Sequence, residues 1–272
     1  MQVYRDLRVL TARPAPEEER QAPHLLFGEI DGAVNFSVGR YVTRVREIVA
    51  ATPGPLVFVG GTGLYFRALT QGLSDIPAVP EETRARVRLS ADGRETPDLH
   101  AELGRADPVC AARLRPSDRQ RILRALEVVY ATGRSLSVFQ NARSAPVLAP
   151  GAWRGIFLAP DREALRCCIA ARFAAMLEAG ALAEVAALAA RGLDPALPIL
   201  RAHGVPHLMA HLRGQMTLGE AAALGVRDTI AYSKRQHTFA RHQLPGFAWM
   251  APEADDAHIL RMGEEVWRGS PA

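Results

Sequence analysis

The sequence predicts an α/β protein with a parallel sheet, interrupted by an all-helical insertion. Three observations predict it. Leu56-Val57-Phe58-Val59 is a short unbroken apolar run closed by Gly60-Gly61, the pattern of a strand buried on both faces of a parallel sheet. Trp153 to Leu158 is a second strand signal. Between them, from Pro77, the chain carries arginine-rich segments at helical spacing with no strand signal. The organisation read from this is a discontinuous core, 1–78 and 152–272, around a helical insertion, 79–151.

Taken in order, Tyr41 to Ala50 places Val42, Val45, Ile48 and Val49 at helical spacing, and Thr52-Pro53-Gly54-Pro55 stops the helix. The first strand follows, and Thr62 or Gly63 opens the next helix through Leu64, Tyr65 and Leu69. In the insertion, helices are expected over Glu81 to Leu89, Leu99 to Leu103, Val109 to Leu114 and Ser117 to Thr132. Ser117 and Gln120 fit a capping box for the last of these. After the second strand Asp161 can cap a helix, and helices are expected to continue to the end with Gly180, Gly192 and Gly214 as stops. Thr217 and Glu220 form another capping-box pattern. Residues after Trp267 read as a frayed end.

Composition narrows the class. Apolar residues at 48% with 23% charged describe a globular chain. No run of 18 uncharged apolar residues exists and the start, Met1 to Leu10, is charged, so a membrane partner is not expected and the setting reads as cytoplasmic. Cys110, Cys167 and Cys168 lack metal-ligand spacing and read as small core or surface residues. Of 33 basic residues only Lys234 is a lysine. Base composition alone can produce that bias, although guanidinium also favours phosphate contact.

Three constellations can carry chemistry. The buried run entering Gly60-Gly61-Thr62-Gly63 brings backbone N–H groups and one hydroxyl to the carboxyl edge of a parallel sheet, where α/β proteins bind ligands; equally, Thr62 can be only an N-cap. Arg113, Arg115, Arg119, Arg121 and Arg124 surround a helix start with Asp118 their sole acid, a place for phosphates or simply a solvated basic face. Arg227, Lys234 and Arg241 recur every seven residues on the last long helix, a plausible phosphate track, with Arg235 and Thr238 close by. His203 and His207 flank the turn-like Gly204-Val205-Pro206. A Walker loop needs Lys followed by Ser or Thr, whereas Lys234 is followed by Arg235.

Several stretches together resemble the tRNA dimethylallyltransferase (isopentenyl-diphosphate:tRNA transferase) family. They are Gln2-Val3-Tyr4-Arg5, Thr11-Ala12-Arg13-Pro14, Val59 to Tyr65, Asp107-Pro108, Asp118 to Val128, and Ser233 to Thr238. The resemblance runs from Met1 to about Phe247. It implies a P-loop-NTPase-like α/β core with a helical insertion. It also implies transfer of dimethylallyl from dimethylallyl diphosphate, with Mg²⁺ on the diphosphate, to N6 of adenine 37 in the tRNA anticodon loop, by a monomeric enzyme. By position, the resemblance places Thr62 in the reaction channel near the leaving oxygen and the flipped base. It gives tRNA contacts to Gln2, Arg84, Gln120, Arg121, Ile122, Leu123 and Arg124, and also to Arg201, Ala202, His203, Gly204, Val205, Pro206, Lys234 and Arg235. Arg172 is a candidate for the diphosphate.

Val205 departs from the tyrosine common in the family. The family's Asp-Ser pair, its expected general base, and its phosphate-cradling loop would precede Met1. The chain as written is therefore expected to lack the first core strand and to be inactive or poorly folded, through a misassigned start or true truncation. Prenylation of free adenine nucleotides and a non-catalytic RNA-binding remnant are the competing functions.

Overall fold

The computed structural model describes residues 1–140 and 143–252; the stretch after Trp267, expected to fray, lies outside them. In chain order the helices are α1 (Pro16–Glu19), α2 (Val38–Ala51), α3 (Gly63–Gln71), α4 (Glu81–Ala91), α5 (Thr96–Ala106), α6 (Pro108–Ala111), α7 (Arg119–Thr132) and α8 (Leu136–Gln140). Strand β1 (Gly155–Leu158) is followed by α9 (Arg162–Glu178), α10 (Ala181–Ala190), a 3-10 turn (Pro198–Arg201), α11 (Val205–Leu212), α12 (Leu218–Gln243) and β2 (Phe247–Met250). The chain divides into a discontinuous unit, Met1–Arg67 with Pro150–Ala272, and a second unit, Ala68–Ala149. The break thus falls inside α3, earlier than the position 79 read from the sequence.

The first unit is built on its helix ends. Ser37 caps α2 by accepting from the Arg40 amide, Asp161 accepts from the amides of Glu163 and Ala164 to start α9, and Thr217 with Glu220 closes a reciprocal capping box on α12. Each satisfies amides that the first helical turn leaves orphaned. These helices bury Phe173 from α9, Val185 and Leu188 from α10, and Val205 and Leu208 from α11. Tyr4, Leu7 and Leu10 from the N-terminal segment and Ile199 from the 3-10 turn complete that core. Burying a Leu or Phe contributes about 1.5–3 kcal/mol. Residues 2–5 run alongside 28–30 through Arg5 N–H to Ile30 O and Ile30 N–H to Val3 O, both 2.9 Å, and the Tyr4 hydroxyl donates to Val34 O at 3.1 Å while accepting from the Phe36 amide.

The sheet differs from expectation in two ways. β1 pairs in parallel with β2, from Gly155 opposite Phe247 to Leu158 opposite Met250, where the sequence predicts helices continuing to the end. Leu56 to Val59 is not a strand, because no described segment hydrogen-bonds along it, and Val57 and Val59 stand 87% and 77% exposed rather than buried. The α/β class stands, with a small parallel sheet among many helices.

The second unit is helical. Its core joins Val87 and Ala91 of α4, Leu99 and Leu103 of α5, and Ile122, Ala125, Leu126 and Val128 of α7. Asp118, not Ser117, is the N-cap of α7, accepting from the Arg121 amide, which corrects the capping box read at Ser117 and Gln120. A buried charge, Glu127, is matched by Arg88 and Arg124, each at 3.4 Å. Gly72 adopts φ +77°, and a Cβ there would sit 1.9 Å from the Ser144 carbonyl oxygen, so the chain can pass there only as glycine.

Candidate functional site

Within the first unit, a cleft of about 1080 Å³ is lined by the N-terminal segment, the 60–65 turn, α9, the 3-10 turn and α12. Five cations line it, Arg162, Arg166, Arg172, Arg201 and Lys234, and no carboxylate does among the described residues. A concave wall carrying one sign of charge raises the local concentration of anions. His203 and His237 share the wall. Burial, then the charges of Arg235 and of Arg241 with Arg162 respectively, holds both imidazoles below their ordinary pKa, so near pH 7 they are neutral.

Thr62 stands at the mouth of α3 and is exposed to the cleft. Its Oγ1 lies 3.3 Å from the Tyr232 hydroxyl, which also lies 3.2 Å from Gly61 O, and the Gln236 amide donates to that same carbonyl at 2.8 Å. Tyr232 is flanked by His203, ring centroids 4.7 Å apart, and by the Arg235 guanidinium 5.6 Å from its ring. Tyr232 and Gln236 are four residues apart and so share one face of α12. The glycines of the turn are explained by this face: a Cβ on Gly61 would meet Gln236 at 2.0 Å, and one on Gly63 would meet the Phe239 ring at 2.4 Å. They make room for α12 and are not in the left-handed region. Thr62 is no side-chain cap; its carbonyl accepts from the Tyr65 amide at 2.9 Å.

A carboxylate outside the cleft holds one of its walls. Glu184 of α10 accepts from three consecutive amides, of Arg8, Val9 and Leu10, the last two at 3.0 Å each. Leu10, Thr11 and Ala12 line the cleft, and the Gln2 side-chain amide donates to Ala12 O at 2.9 Å, so Gln2 spends a donor on the same loop.

A family profile described as IPP transferase matches residues 2–243. The chain belongs to the IPP transferase family. A tRNA dimethylallyltransferase of Methylocella silvestris is 63% identical over 263 residues, covering 96% of this chain and 87% of that protein. Among solved structures, a full-length tRNA isopentenylpyrophosphate transferase from Bacillus halodurans is 29% identical with a TM-score of 0.65, over 98% of this chain and 85% of that one. A eukaryotic dimethylallyltransferase captured acting on tRNA shares the fold at a TM-score of 0.79 and 19% identity, over 100% of this chain and 72% of that one.

In this IPP transferase chain the residues singled out from sequence separate into groups. Gln2, Thr62, Arg172, Arg201, Ala202, His203 and Lys234 line the cleft, and Arg235 lies against Tyr232. Pro206 instead lines a small apolar pocket with Leu188 and Met209. Val205 and Ile122 are wholly buried, and Gly204 forms a left-handed turn beneath the surface. The side chains of Val205 and Ile122 pack the cores of their units, as an apolar residue inside a helix stripe does.

Arg84 pairs with Glu81 at 2.5 Å, Arg121 with Asp118 at 3.3 Å, and Arg124 with buried Glu127. Gln120 and Arg121 are exposed, and Leu123 is half-buried. The seven-residue cation stripe on α12 does not act as one track: Arg227 pairs with Asp228 at 3.6 Å, Lys234 faces the cleft, and Arg241 lies over Trp249. Sequence reading missed Tyr232, Gln236 and Glu184. The four-residue spacing on α12 signalled the first two, whereas nothing in sequence tied Glu184 to residues 8–10.

Proposed function

We propose that this protein transfers a dimethylallyl group from dimethylallyl diphosphate to N6 of adenine 37 in the anticodon loop of tRNA. One observation carries the reading: a cleft with five cations and no carboxylate among its described lining residues, opening beside an exposed hydroxyl held by Tyr232. Two phosphates neutralised by guanidinium and ammonium groups need such a wall, and positive charge aimed at a departing diphosphate lowers the barrier to its departure. Arg172 is the candidate contact for the diphosphate, with Arg162 and Arg166 from the same helix beside it in the cleft lining.

Adenine must leave its stack to be alkylated, and the half-exposed rings of Tyr232 and His203 offer a surface for it. Arg121, 74% exposed at its side chain, and Gln120 in the helical unit serve tRNA binding, where phosphate contact supplies affinity without sequence preference. Mg²⁺ would neutralise charge on the diphosphate; among the described residues the lining holds no carboxylate and no group of three His, Cys, Asp or Glu suits a metal. The bare apolar stretch Leu56 to Val59 supports a core of the P-loop type, in which a further strand pairs along it. A tRNA substrate puts the work in the cytoplasm; among the described residues no single helix is long and apolar enough to cross a membrane.

The test is transfer of radiolabelled dimethylallyl, in the presence of Mg²⁺, to a tRNA with adenine at position 37. Incorporation above that into the same tRNA bearing guanine there, however slow, is the expected result. Label on free adenosine monophosphate and none on tRNA, or no label on either, overturns the reading.

A further inference from the structure

We infer that Thr62 meets its substrate as a hydrogen-bond acceptor, because its own O–H is donated to Tyr232, so that this position reads an exocyclic amine. The inference rests on the tRNA reading of the cleft and deepens it to what one hydroxyl recognises.

The proton assignment follows from the partners. Gly61 O can only accept, and two donors reach it, the Gln236 amide at 2.8 Å and the Tyr232 hydroxyl at 3.2 Å. A phenolic hydroxyl has one proton. With that proton on Gly61 O, the 3.3 Å contact between Tyr232 and Thr62 is a hydrogen bond only if Thr62 donates. This is the single arrangement in which all three contacts are hydrogen bonds at once. Thr62 Oγ1 then has lone pairs and no proton left for the cleft it lines.

Toward a ligand such an oxygen accepts from N–H and is repelled by a carbonyl or phosphate oxygen. Adenine presents an amine at C6, and hypoxanthine, its deaminated counterpart, presents a carbonyl at the same place. Thr62 therefore discriminates the two through lone pairs rather than through shape, and it does not serve as a donor to the leaving diphosphate. Tyr232 is the positioning residue, holding Thr62 in this polarity. It is itself fixed by Gln236 through their shared carbonyl, by the His203 ring tilted against it and by the Arg235 guanidinium over its ring.

The test uses fluorescence anisotropy with two anticodon stem-loop RNAs that differ only in adenine or hypoxanthine at position 37, and no prenyl donor. The wild-type protein is expected to bind the adenine RNA about tenfold more tightly, the size of one net hydrogen bond gained against one acceptor opposed. Tyr232→Phe deletes the proton's destination, frees Thr62 to donate, and is expected to compress that preference to about twofold or less. Thr62→Val keeps the shape, removes the acceptor and is expected to do the same; at an exposed position it reads the point even where Tyr232→Phe loses stability. Equal binding of both RNAs by the wild type overturns the inference, as does a tenfold preference surviving in both variants. Binding of neither RNA overturns the tRNA reading and this inference with it.

Discussion

Glu184→Ala should cost the first unit more than a typical surface change, and the cost can be worked from three bonds. The carboxylate accepts from the amides of Arg8, Val9 and Leu10. Hydrogen bonds to a charged group are worth about 1.5–3 kcal/mol each, so the set has a ceiling of about 5–9 kcal/mol. Glu184 is only half-buried, and water can reach the freed amides, which brings the expected loss to about 2–4 kcal/mol. At about 2–4 °C per kcal/mol for a chain of this size, Tm should fall by roughly 5–15 °C.

Glu184→Gln keeps an oxygen for two of the amides and turns an NH₂ toward the third, so it should lose about half as much. Urea unfolding followed by circular dichroism measures both variants, and hydrogen exchange should show the amides of residues 8–10 losing protection in the alanine variant. A Glu184→Ala protein within about 0.5 kcal/mol of wild type, the ordinary surface range, would refute the clamp.

In the helical unit, Ile122→Ala should lower stability by about 2–4 kcal/mol, since it empties a fully buried position. Arg121→Glu should leave stability nearly unchanged while weakening tRNA binding and reducing its salt slope by about one, read from anisotropy titrations at several salt concentrations. Gly72→Ala should destabilise that unit by about 2 kcal/mol or more, because a left-handed φ of +77° and a Cβ 1.9 Å from the Ser144 carbonyl oxygen must both be accommodated; an unchanged melting curve would contradict it. The Tyr41 phenol is pushed up to about 12 by burial and by the neighbouring Tyr65. With a folded pKa above the unfolded one, its contribution is present below about pH 10 and is lost as pH rises through about 12. Urea midpoints over that window should fall less steeply in Tyr41→Phe than in wild type.

Much of the helical architecture was legible because it rests on local chemistry. Asp161 and the Thr217–Glu220 pair cap helices where their types predict, and the apolar stripe of α7 is buried as its spacing requires. Expectations failed where the deciding partner is remote in sequence. Leu56 to Val59 has a strand's composition, yet a strand exists only when a neighbour takes its hydrogen bonds, and no described segment does. Phe247 to Met250, by contrast, follows a long helix across the Pro245-Gly246 turn, too short to announce itself as a strand, and becomes one because β1 stands alongside. Cation periodicity on α12 suggested a single track, and the environment divided it, with an acid at Arg227, a cleft at Lys234 and an indole at Arg241.

The Gly60–Gly63 turn joins these two levels. Read alone, its glycines suggest backbone laid against a ligand. In the folded chain Gly61 and Gly63 admit Gln236 and Phe239 of α12, and that close approach sets Tyr232 against Thr62. Packing and chemistry are therefore inseparable here, but not equally at each glycine. A methyl at Gly61 meets the tip of a flexible glutamine, which can swing aside. At Gly63 it meets a ring that also carries the Arg67 guanidinium at 5.7 Å from its centroid, and a ring packed on its face has no comparable escape. Gly63→Ala must therefore push α12 away from the turn and separate Tyr232 from Thr62, whereas Gly61→Ala can spare that contact while losing the Gln236 bond. Comparing the two for adenine over hypoxanthine preference would show whether the glycine pattern is kept for space or for the polarity of one hydroxyl.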